Sequence, residues 1–80
     1  MHYVYLLRSI SRADKTYVGL TVDFTNRLAQ HNAGEVPSTS RFRPWTLIAY
    51  IAVPSQEKAM ELERYLKSGS GHAFAHRHLW

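Results

Sequence analysis

Two short runs rich in aromatic and β-branched residues, both near the start of the chain, constrain the fold most. They are His2 to Arg8 and Thr16 to Val22, and this composition favours β-strands. The segment between them, Ser9 to Lys15, is polar and has no glycine, which predicts a hairpin with a loop longer than two residues. The triplets Tyr-Val-Tyr at residues 3–5 and Tyr-Val-Gly at residues 17–19 therefore lie on neighbouring antiparallel strands.

The next segments predict a short helix, a loop and a third strand. Asp23 can cap a helix over residues 24–33, and Gly34 can end that helix in the left-handed conformation. Residues 35–45 contain two prolines and no usable period, so we predict a loop there. Residues 46–53 are apolar on both parities, as expected of a central strand covered on both faces.

Residues 54–67 predict a second helix, because their apolar positions repeat at helical spacing after an initial Pro-Ser pair. The Ser-Gly-Ser-Gly stretch at residues 68–71 should break this helix and act as a linker, and residues 72–80 can form one more short helix. The order β-β-α-β-α(-α) predicts an α+β fold in which helices flank a three-stranded antiparallel sheet. We expect one domain spanning residues 1–80.

Charge and cysteine content narrow the class of protein. Ten Lys and Arg residues, seven of them Arg, outnumber six Asp and Glu and give a net charge of +4, which favours a phosphate-bearing partner. The absence of cysteine excludes disulfides, iron–sulfur clusters and thiol nucleophiles. No segment approaches the roughly 20 apolar residues of a membrane span, and the start lacks a signal-peptide pattern. We therefore expect a cytoplasmic protein without membrane association, either a monomer or a weak homodimer.

Glu63 is the sharpest single candidate for a functional residue. It lies four residues after Ala59 and three before Leu66, which places a carboxylate on the helix face that should be buried. A buried carboxylate is costly unless a cation, hydrogen bonds or a metal ion compensate it, and one carboxylate with water is a normal way to hold Mg²⁺. The alternative is a weak i,i+4 ion pair with Lys67 at the rim of that face. The sequence leaves both interpretations open.

Four other side chains and one glycine complete the candidate site. Arg27 and His31 lie four residues apart on the first helix, so their side chains share one stripe. A guanidinium there can grip a phosphate through two parallel hydrogen bonds, and the alternative is a solvated polar stripe. Tyr5 and Tyr17 have an equally plain alternative as half-buried sheet tyrosines. Gly19 shares a strand face with Tyr17 and would let a ligand backbone come close.

The histidines near the end of the chain, His72, His76 and His78, suggest a zinc site only weakly, because no cysteine or nearby acid accompanies them. A tail decorated with His and Arg is the preferred interpretation. The neighbouring Ser-Gly stretch lacks the Gly-Lys-Ser/Thr ending of a phosphate-binding loop. Arg41 and Arg43 make the loop before the third strand basic.

Taken as an ordered set, these motifs resemble the GIY-YIG endonuclease superfamily. The set comprises Tyr-Val-Tyr, eleven intervening residues, Tyr-Val-Gly, then Arg27 and His31 at ten and fourteen residues after Tyr17, and an Ala-x-x-x-Glu-x-x-x-Lys helix. The likeness extends from Tyr3 to about Lys67, and it is strongest to the small, single-domain bacterial members. Each motif alone is weak, whereas the ordered set is fairly specific.

The resemblance implies a metal-dependent hydrolysis of DNA by in-line attack of water on phosphorus. By position, Tyr17 would be the general base and Tyr5 would help to position the water. Arg27 would hold the scissile phosphate, and His31 would assist Tyr17 or contact phosphate. Glu63 would anchor one divalent metal ion, Mg²⁺ with Mn²⁺ as a substitute. A tyrosine with a pKa of about 10 is a poor base at neutral pH unless a metal or cations lower that pKa, so the scheme requires a positive charge near Tyr17, which Arg27 or His31 could supply.

The resemblance also implies substrate contacts and marks two departures from the family pattern. The residues expected to bind substrate beside the catalytic groups are Gly19, Arg41, Arg43 and Lys67. Tyr3 stands where the family's name motif has Gly, a change that is tolerable on an edge, and no Asn follows Glu63 as it does in many relatives. We expect no separate recognition domain, so specificity would be low, structural or supplied by a protein partner.

Three functions follow from this reading. The first is a Mg²⁺-dependent endonuclease acting on DNA, in its narrower form structure-selective with a role in DNA repair or recombination, and RNA stays open as a substrate. The second is a catalytically weak nucleic-acid-binding module of the same fold, whose phosphate contacts would be Arg27, Arg41, Arg43 and Arg64. The third, a protein-interaction module built on exposed aromatic residues, is disfavoured by the basic charge.

Overall fold

The computed structural model describes residues 1–80 and consists of a three-stranded antiparallel sheet with helices on both faces. This confirms the predicted α+β fold and its element order. The elements are β1 (His2–Ser9), β2 (Thr16–Thr21), α1 (Phe24–Asn32), a 3₁₀ turn (Ser40–Phe42), β3 (Trp45–Val53), α2 (Gln56–Lys67) and α3 (Gly69–His78). No helix combines the length and the apolar character needed to cross a membrane.

The strand order is β2-β1-β3, so the first strand lies in the middle of the sheet. The prediction that residues 46–53 form the central strand is therefore wrong, because β3 is an edge strand. Apolar residues stand at both odd and even positions of β3 because its two faces pack against different helices, α1 and α2. Tyr3, expected on an edge, instead lies on the central strand between Thr21 and Ala52.

The alternation of side chains along β1 divides the core into two layers. Val4 and Leu6 point to the layer formed with α2 and α3, where Leu66 is also buried. Tyr5 and Leu7 point to the opposite layer, which is formed with α1 and the loop that precedes β3. Four consecutive residues of β1 are thus buried, as only a strand with neighbours on both sides and cover on both faces can be.

The ends of the first two helices are those that the sequence predicts. The Asp23 side chain accepts a hydrogen bond from the backbone N–H of Asn26, and the Ser55 side chain does the same for Lys58. Gly34 has a φ of 81°, the left-handed conformation expected of a residue just past a helix end. These caps set where α1 and α2 begin, and hence which of their side chains face the sheet.

The Ser-Gly-Ser-Gly stretch is not a linker, which corrects the prediction. Ser68 caps α3 through its hydroxyl and is the only residue between the end of α2 at Lys67 and the start of α3 at Gly69. Gly71 is buried against the carbonyl oxygen of Tyr65, and a Cβ atom there would overlap that oxygen. Gly71 therefore allows a tight corner between two packed helices.

Candidate active site

The two tyrosine triplets lie on neighbouring strands, as predicted. The side chains of Tyr5 and Tyr17 lie on the sheet face that packs toward α1, and Gly19 is at a position of the same face. Tyr5 pairs directly with Gly19 across the β1–β2 ladder. A Cβ atom at Gly19 would overlap the hydroxyl of Tyr5 and the ring of Tyr17. The missing side chain therefore makes room for the two phenols, and a contact of Gly19 with substrate stays a prediction.

A buried chain of hydrogen bonds runs through the hydroxyl of Tyr5. Arg27 Nε donates to the Tyr5 oxygen at 3.3 Å, and that oxygen lies 2.9 Å from His31 Nε2. On the other side of the imidazole, His31 Nδ1 lies 2.6 Å from Thr39 Oγ1, and Thr39 in turn donates to the carbonyl oxygen of Val36. The donation by Thr39 makes its oxygen an acceptor for Nδ1–H, so His31 Nε2 accepts the proton of Tyr5.

The surroundings of these hydrogen-bonded residues determine their protonation states. Burial, followed by the charge of Arg27, lowers the pKa of His31, which keeps the imidazole neutral at neutral pH. Burial also raises the pKa of Tyr5, although its hydrogen bond with Arg27 works in the opposite direction. Tyr5 is therefore a neutral phenol, and it donates to a neutral imidazole. His31 cannot supply the positive charge that the resemblance requires near Tyr17.

Arg27 lies between the two phenols. Its Nη1 donates to Gln30 Oε1 at 3.0 Å, in addition to the bond from Nε to Tyr5. The pKa of Arg27 is raised first by the hydrogen bond with Tyr5 and further by Tyr17, so both phenols act on one guanidinium. The prediction that Arg27 could place positive charge beside Tyr17 is consistent with this arrangement.

Tyr17 is half-buried on the edge strand β2 and is more accessible than Tyr5. Its ring centroid lies 5.0 Å from that of His31 and 6.5 Å from that of Trp45. Lys67 reaches across from α2 and places its ammonium nitrogen 5.9 Å from the Tyr17 ring centroid. Lys67 is thus a second cation beside this phenol, a neighbour that the spacing on α2 alone did not indicate.

Glu63 lies at the rim of the site and is not fully buried, which corrects the prediction. Its side chain is 25% exposed, and its Oε2 lies 3.2 Å from Lys67 Nζ. The structure thus contains the i,i+4 ion pair that the sequence left open as the alternative. The carboxylate nevertheless acts on the buried part of the site, because it contributes to raising the pKa of Tyr5.

A divalent cation at this rim would depend on Glu63. No group of three or more His, Cys, Asp or Glu side chains is arranged to hold a metal ion, a finding that includes His72, His76 and His78. Mg²⁺ does not require such a group, because it keeps most of its water and takes phosphate oxygens as further ligands. A partly exposed carboxylate beside the candidate base fits this mode of binding.

The loop before β3 places its two arginines differently. Arg43 folds back, its Nη1 donates to the carbonyl oxygen of Ser40 at 3.0 Å, and its guanidinium covers Gly34. Arg41 lies 5.3 Å from the centroid of the Phe42 ring. Both side chains are exposed, and their contact with substrate stays a prediction.

Two further cations approach the same aromatic ring from the hairpin loop. Arg12 and Lys15 lie 5.8 Å and 5.2 Å from the Phe42 ring centroid, so with Arg41 they form a basic cluster around Phe42. Sequence reasoning missed this cluster because its members come from two loops about thirty positions apart, which only the fold brings together. The Phe42 ring itself packs in the layer that contains Tyr5.

Thr39 and Gln30 are the supporting residues that sequence reasoning missed. Thr39 is buried and bonded to His31, although it lies in a Ser/Thr-rich loop with no period to distinguish it from its neighbours. Gln30 is bonded to Arg27, and its spacing of three residues on α1 was the one available signal. The indole nitrogen of Trp45 donates to the carbonyl oxygen of Thr39 and holds that loop against β3.

Comparisons with known proteins show what this chain is similar to. A family model described as the GIY-YIG catalytic domain matches residues 1–74. The chain is 43% identical over 67 residues to a UPF0213 protein from Streptococcus pyogenes serotype M5, covering 81% of this chain and 70% of that protein. It is 36% identical over 83 residues to the "structure-specific endonuclease subunit SLX1" of Candida dubliniensis, covering 95% of this chain but only 28% of that protein.

A solved structure is also similar. The solution NMR structure of a UPF0213 protein from Bacillus halodurans superposes with a TM-score of 0.55 at 33% identity. The superposition covers 95% of this chain and 82% of that chain, so the likeness includes every strand and helix from β1 to α2.

Proposed function

The chain belongs to the GIY-YIG family, and from this premise we propose that it is an endonuclease that hydrolyses phosphodiester bonds of DNA. The observation that carries the proposal is the meeting of Arg27, Tyr17 and the Glu63–Lys67 pair around the edge of β2. Such a meeting provides a phosphate-binding cation, a proton acceptor and a carboxylate within one small area. These three groups are what hydrolysis of a phosphodiester requires.

Tyr17 is the proposed proton acceptor for the attacking water. A phenol serves as a base near neutral pH only if nearby positive charge favours its phenolate form. The cations beside Tyr17 are Arg27 on α1 and Lys67 on α2. The phenolate of Tyr17 takes a proton from the water, and the water oxygen attacks the phosphorus of a phosphate group held by the outer nitrogens of Arg27. The bond from phosphorus to the opposite ester oxygen breaks, and the leaving oxygen takes a proton from solvent.

Tyr5 has a different role in this scheme. Its proton is committed to His31 Nε2 and its oxygen accepts from Arg27, so the hydroxyl is occupied within the protein. It is also 1% exposed. We therefore assign Tyr5, with His31, to positioning Arg27 rather than to direct contact with the water. The rigid hydrogen bonds hold the guanidinium in one orientation before substrate binds.

Glu63 is the proposed ligand of a divalent cation, Mg²⁺ or in its place Mn²⁺. When bound, such an ion would neutralise charge on the phosphate oxygens and on the leaving group. The carboxylate would exchange its partner Lys67 for the cation, and Lys67 would then be released to bind the phosphate backbone or remain near Tyr17. The expected substrate contacts of Arg41 and Arg43 extend the basic surface beyond the reacting phosphate.

The biological setting is also a proposal. One relative is described as a structure-specific endonuclease subunit, and the present chain corresponds to 28% of its length. We propose by analogy a structure-selective activity in DNA repair or recombination, in the cytoplasm, with a protein partner supplying part of the specificity. The chain itself would act as a monomer or a weak homodimer.

The test is cleavage of labelled single-stranded, duplex and branched DNA with Mg²⁺ or Mn²⁺ by wild type, Tyr17→Phe and Glu63→Gln. We expect both variants to lose about 100-fold or more of the rate while retaining binding. The matched controls are Tyr65→Phe for the tyrosine variant and Glu57→Gln for the glutamate variant. Both change exposed residues of α2, and both variants should cut like wild type. Unchanged cutting by Tyr17→Phe would contradict the assignment of the base.

One observation favours a second function, a nucleic-acid-binding module of weak catalytic power. Glu63 is already paired with Lys67, and a cluster of three cations surrounds Phe42, outside the candidate site. Glu63→Ala separates the two functions. It should abolish cutting and spare binding in a nuclease, whereas it should leave a binding module unchanged.

A further inference from the structure

A cavity of about 360 Å³ lies where the ends of β1 and β2 meet α3, on the sheet face opposite to Tyr5. None of the residues assigned to the candidate active site lines it. The polar and aromatic side chains that line it are Arg8, Asp14, Thr16, His72, His76 and Trp80. Arg8 closes the inner side, and the two histidines line it from successive turns of α3, with ring centroids 5.3 Å apart.

Arg8 is a half-buried guanidinium without a partner of opposite charge. Its Nε is buried and makes no hydrogen bond, and none of the three ion pairs in the protein includes it. Its only specific contact is with Trp80, whose ring centroid lies 5.5 Å from the guanidinium carbon. A cation that is partly removed from water without an anion or an acceptor is costly, so this position is suited to an anionic ligand.

The acid nearest to this cation is already engaged. Asp14 lines the same cavity, but its carboxylate pairs with Arg12 at 3.3 Å, and that hydrogen bond lowers the pKa of Asp14. The side chain of Asp14 is also 63% exposed, so it compensates Arg8 weakly. The net character of the cavity wall is therefore cationic and aromatic.

The cavity lies next to a second one that reaches residues of the candidate active site. A second cavity of about 310 Å³ shares Thr16, His72 and Trp80 with the first, and it extends to Tyr17 and Lys67. A groove thus runs from the proposed base, along the edge of β2, to Arg8. Trp80 lines both cavities, and the part of its ring that does not pack against the core offers an aromatic surface of the kind on which nucleobases stack.

We propose that this groove holds one strand of the nucleic acid beside the reacting phosphate, with Arg8 binding a neighbouring phosphate and Trp80 stacking on a base. A phosphate supplies the anion that Arg8 lacks, Lys67 adds a second cation, and the imidazoles of His72 and His76 add hydrogen-bonding groups. The inference rests on the proposed function for the position of the reacting phosphate at Tyr17. The binding of a strand in the groove does not require that cleavage occurs.

The experiment measures binding of a fluorescein-labelled single-stranded oligonucleotide in metal-free buffer, where no cutting occurs. The variants are Arg8→Gln and His72→Gln, and the matched control is Lys58→Gln, which removes one exposed cation from the far side of α2. We expect Arg8→Gln to weaken binding by about five- to tenfold at 0.1 M salt and to reduce the slope of log K against log[salt] by about 0.7, the value for one contact with a single strand. Lys58→Gln should change binding less than twofold.

Several outcomes would overturn the inference. Binding by Arg8→Gln equal to wild type, or a loss equal to that of Lys58→Gln, would show that Arg8 contributes only general charge. If Arg8→Gln does not fold, His72→Gln decides, because its side chain is exposed, and a twofold or larger loss supports the groove whereas no loss overturns it.

The failure of this inference is distinguishable from failure of the proposed function. A wild-type protein that cuts DNA, together with an Arg8→Gln variant that binds normally, would overturn the groove and leave the nuclease intact. A wild-type protein that cuts no substrate, together with weakened binding by Arg8→Gln, would overturn the nuclease and support the groove.

Discussion

The two sides of the candidate site differ in how far the protein itself completes their interactions. On the α1 side, Arg27, Tyr5, His31 and Thr39 bond to one another in sequence, and three of the four are buried. On the β2 edge, Tyr17 is half-buried, and the partner of Glu63 is an exposed lysine. The first side is complete within the protein, whereas the groups of the second side remain accessible. This difference supports the proposal that the α1 side positions the guanidinium and the β2 edge carries the chemistry.

The largest expected effect is on the rate and comes from the open side. Tyr17→Phe should reduce DNA cleavage by about 10²- to 10⁴-fold, because the phenol that accepts the proton is lost. The free energy of unfolding should change by less than about 0.5 kcal/mol, because the ring packing is kept. Single-turnover cleavage and urea denaturation check the two expectations. A large loss of stability would show that Tyr17 belongs to the prebuilt side.

The next effect concerns the position where the two sides meet. Gly19→Ala should destabilise the fold by about 2 to 3 kcal/mol, because the new methyl group overlaps the hydroxyl of Tyr5 and the ring of Tyr17. Gly69→Ala is the matched control, since no atom lies within 4 Å of a Cβ there. Urea denaturation of both variants gives the comparison. Equal stability of the two would contradict the close contact of the phenols at Gly19.

Removal of the buried hydroxyl should have a smaller effect on stability. Tyr5→Phe leaves His31 Nε2 without its donor and Arg27 Nε without its acceptor, and we expect a loss of about 1 to 3 kcal/mol. Tyr50→Phe is the control, because Tyr50 pairs with Tyr5 across β1 and β3 but is 50% exposed. It should change stability by less than about 0.5 kcal/mol. An equal loss of stability in both variants would contradict the assignment of the α1 side as a rigid, hydrogen-bonded part of the site.

The smallest expected effect is a dependence of stability on pH. Because the pKa of His31 is lower in the folded protein than its usual value of about 6.5, the unfolded chain binds the proton more readily. The contribution of His31 to stability is thus complete above about pH 6.5, falls as the pH drops below that value, and levels off below the folded pKa. His31→Gln should flatten the curve in this range, whereas His76→Gln, at an exposed histidine, should not. Urea denaturation at several pH values measures it.

Much of the fold followed from local patterns. The hairpin, the capped helix after Asp23 and the helix ending at Lys67 were predicted within one or two residues, because side-chain alternation and capping residues act over a single turn or strand. The middle strand was assigned wrongly. Residues 46–53 and β1 are both apolar on two parities, and only the packing of α1 and α2 decides which of them lies between two neighbours.

The candidate site was also predicted only in part, because packing between distant segments decides its burial and contacts. The residue types and spacing of Tyr17, Arg27 and Glu63 led to the family, which the comparisons confirm. The burial of Glu63 was overestimated, because helical periodicity gives a direction around the axis but not the distance from the sheet edge. Thr39, bonded to His31, could not be predicted because no period marks a loop residue.

The sequence by itself determined the class of fold, the family and the residue types on which the proposed function rests, since these depend on local pattern and on chemistry. Only the tertiary structure decided which groups share hydrogen bonds, that Lys67 lies beside Tyr17, and that Arg8 lacks a partner at the end of a groove. The physical reason is that burial and charge pairing depend on distances between segments far apart in the chain. Those distances are fixed by the packing of the helices on the two faces of the sheet.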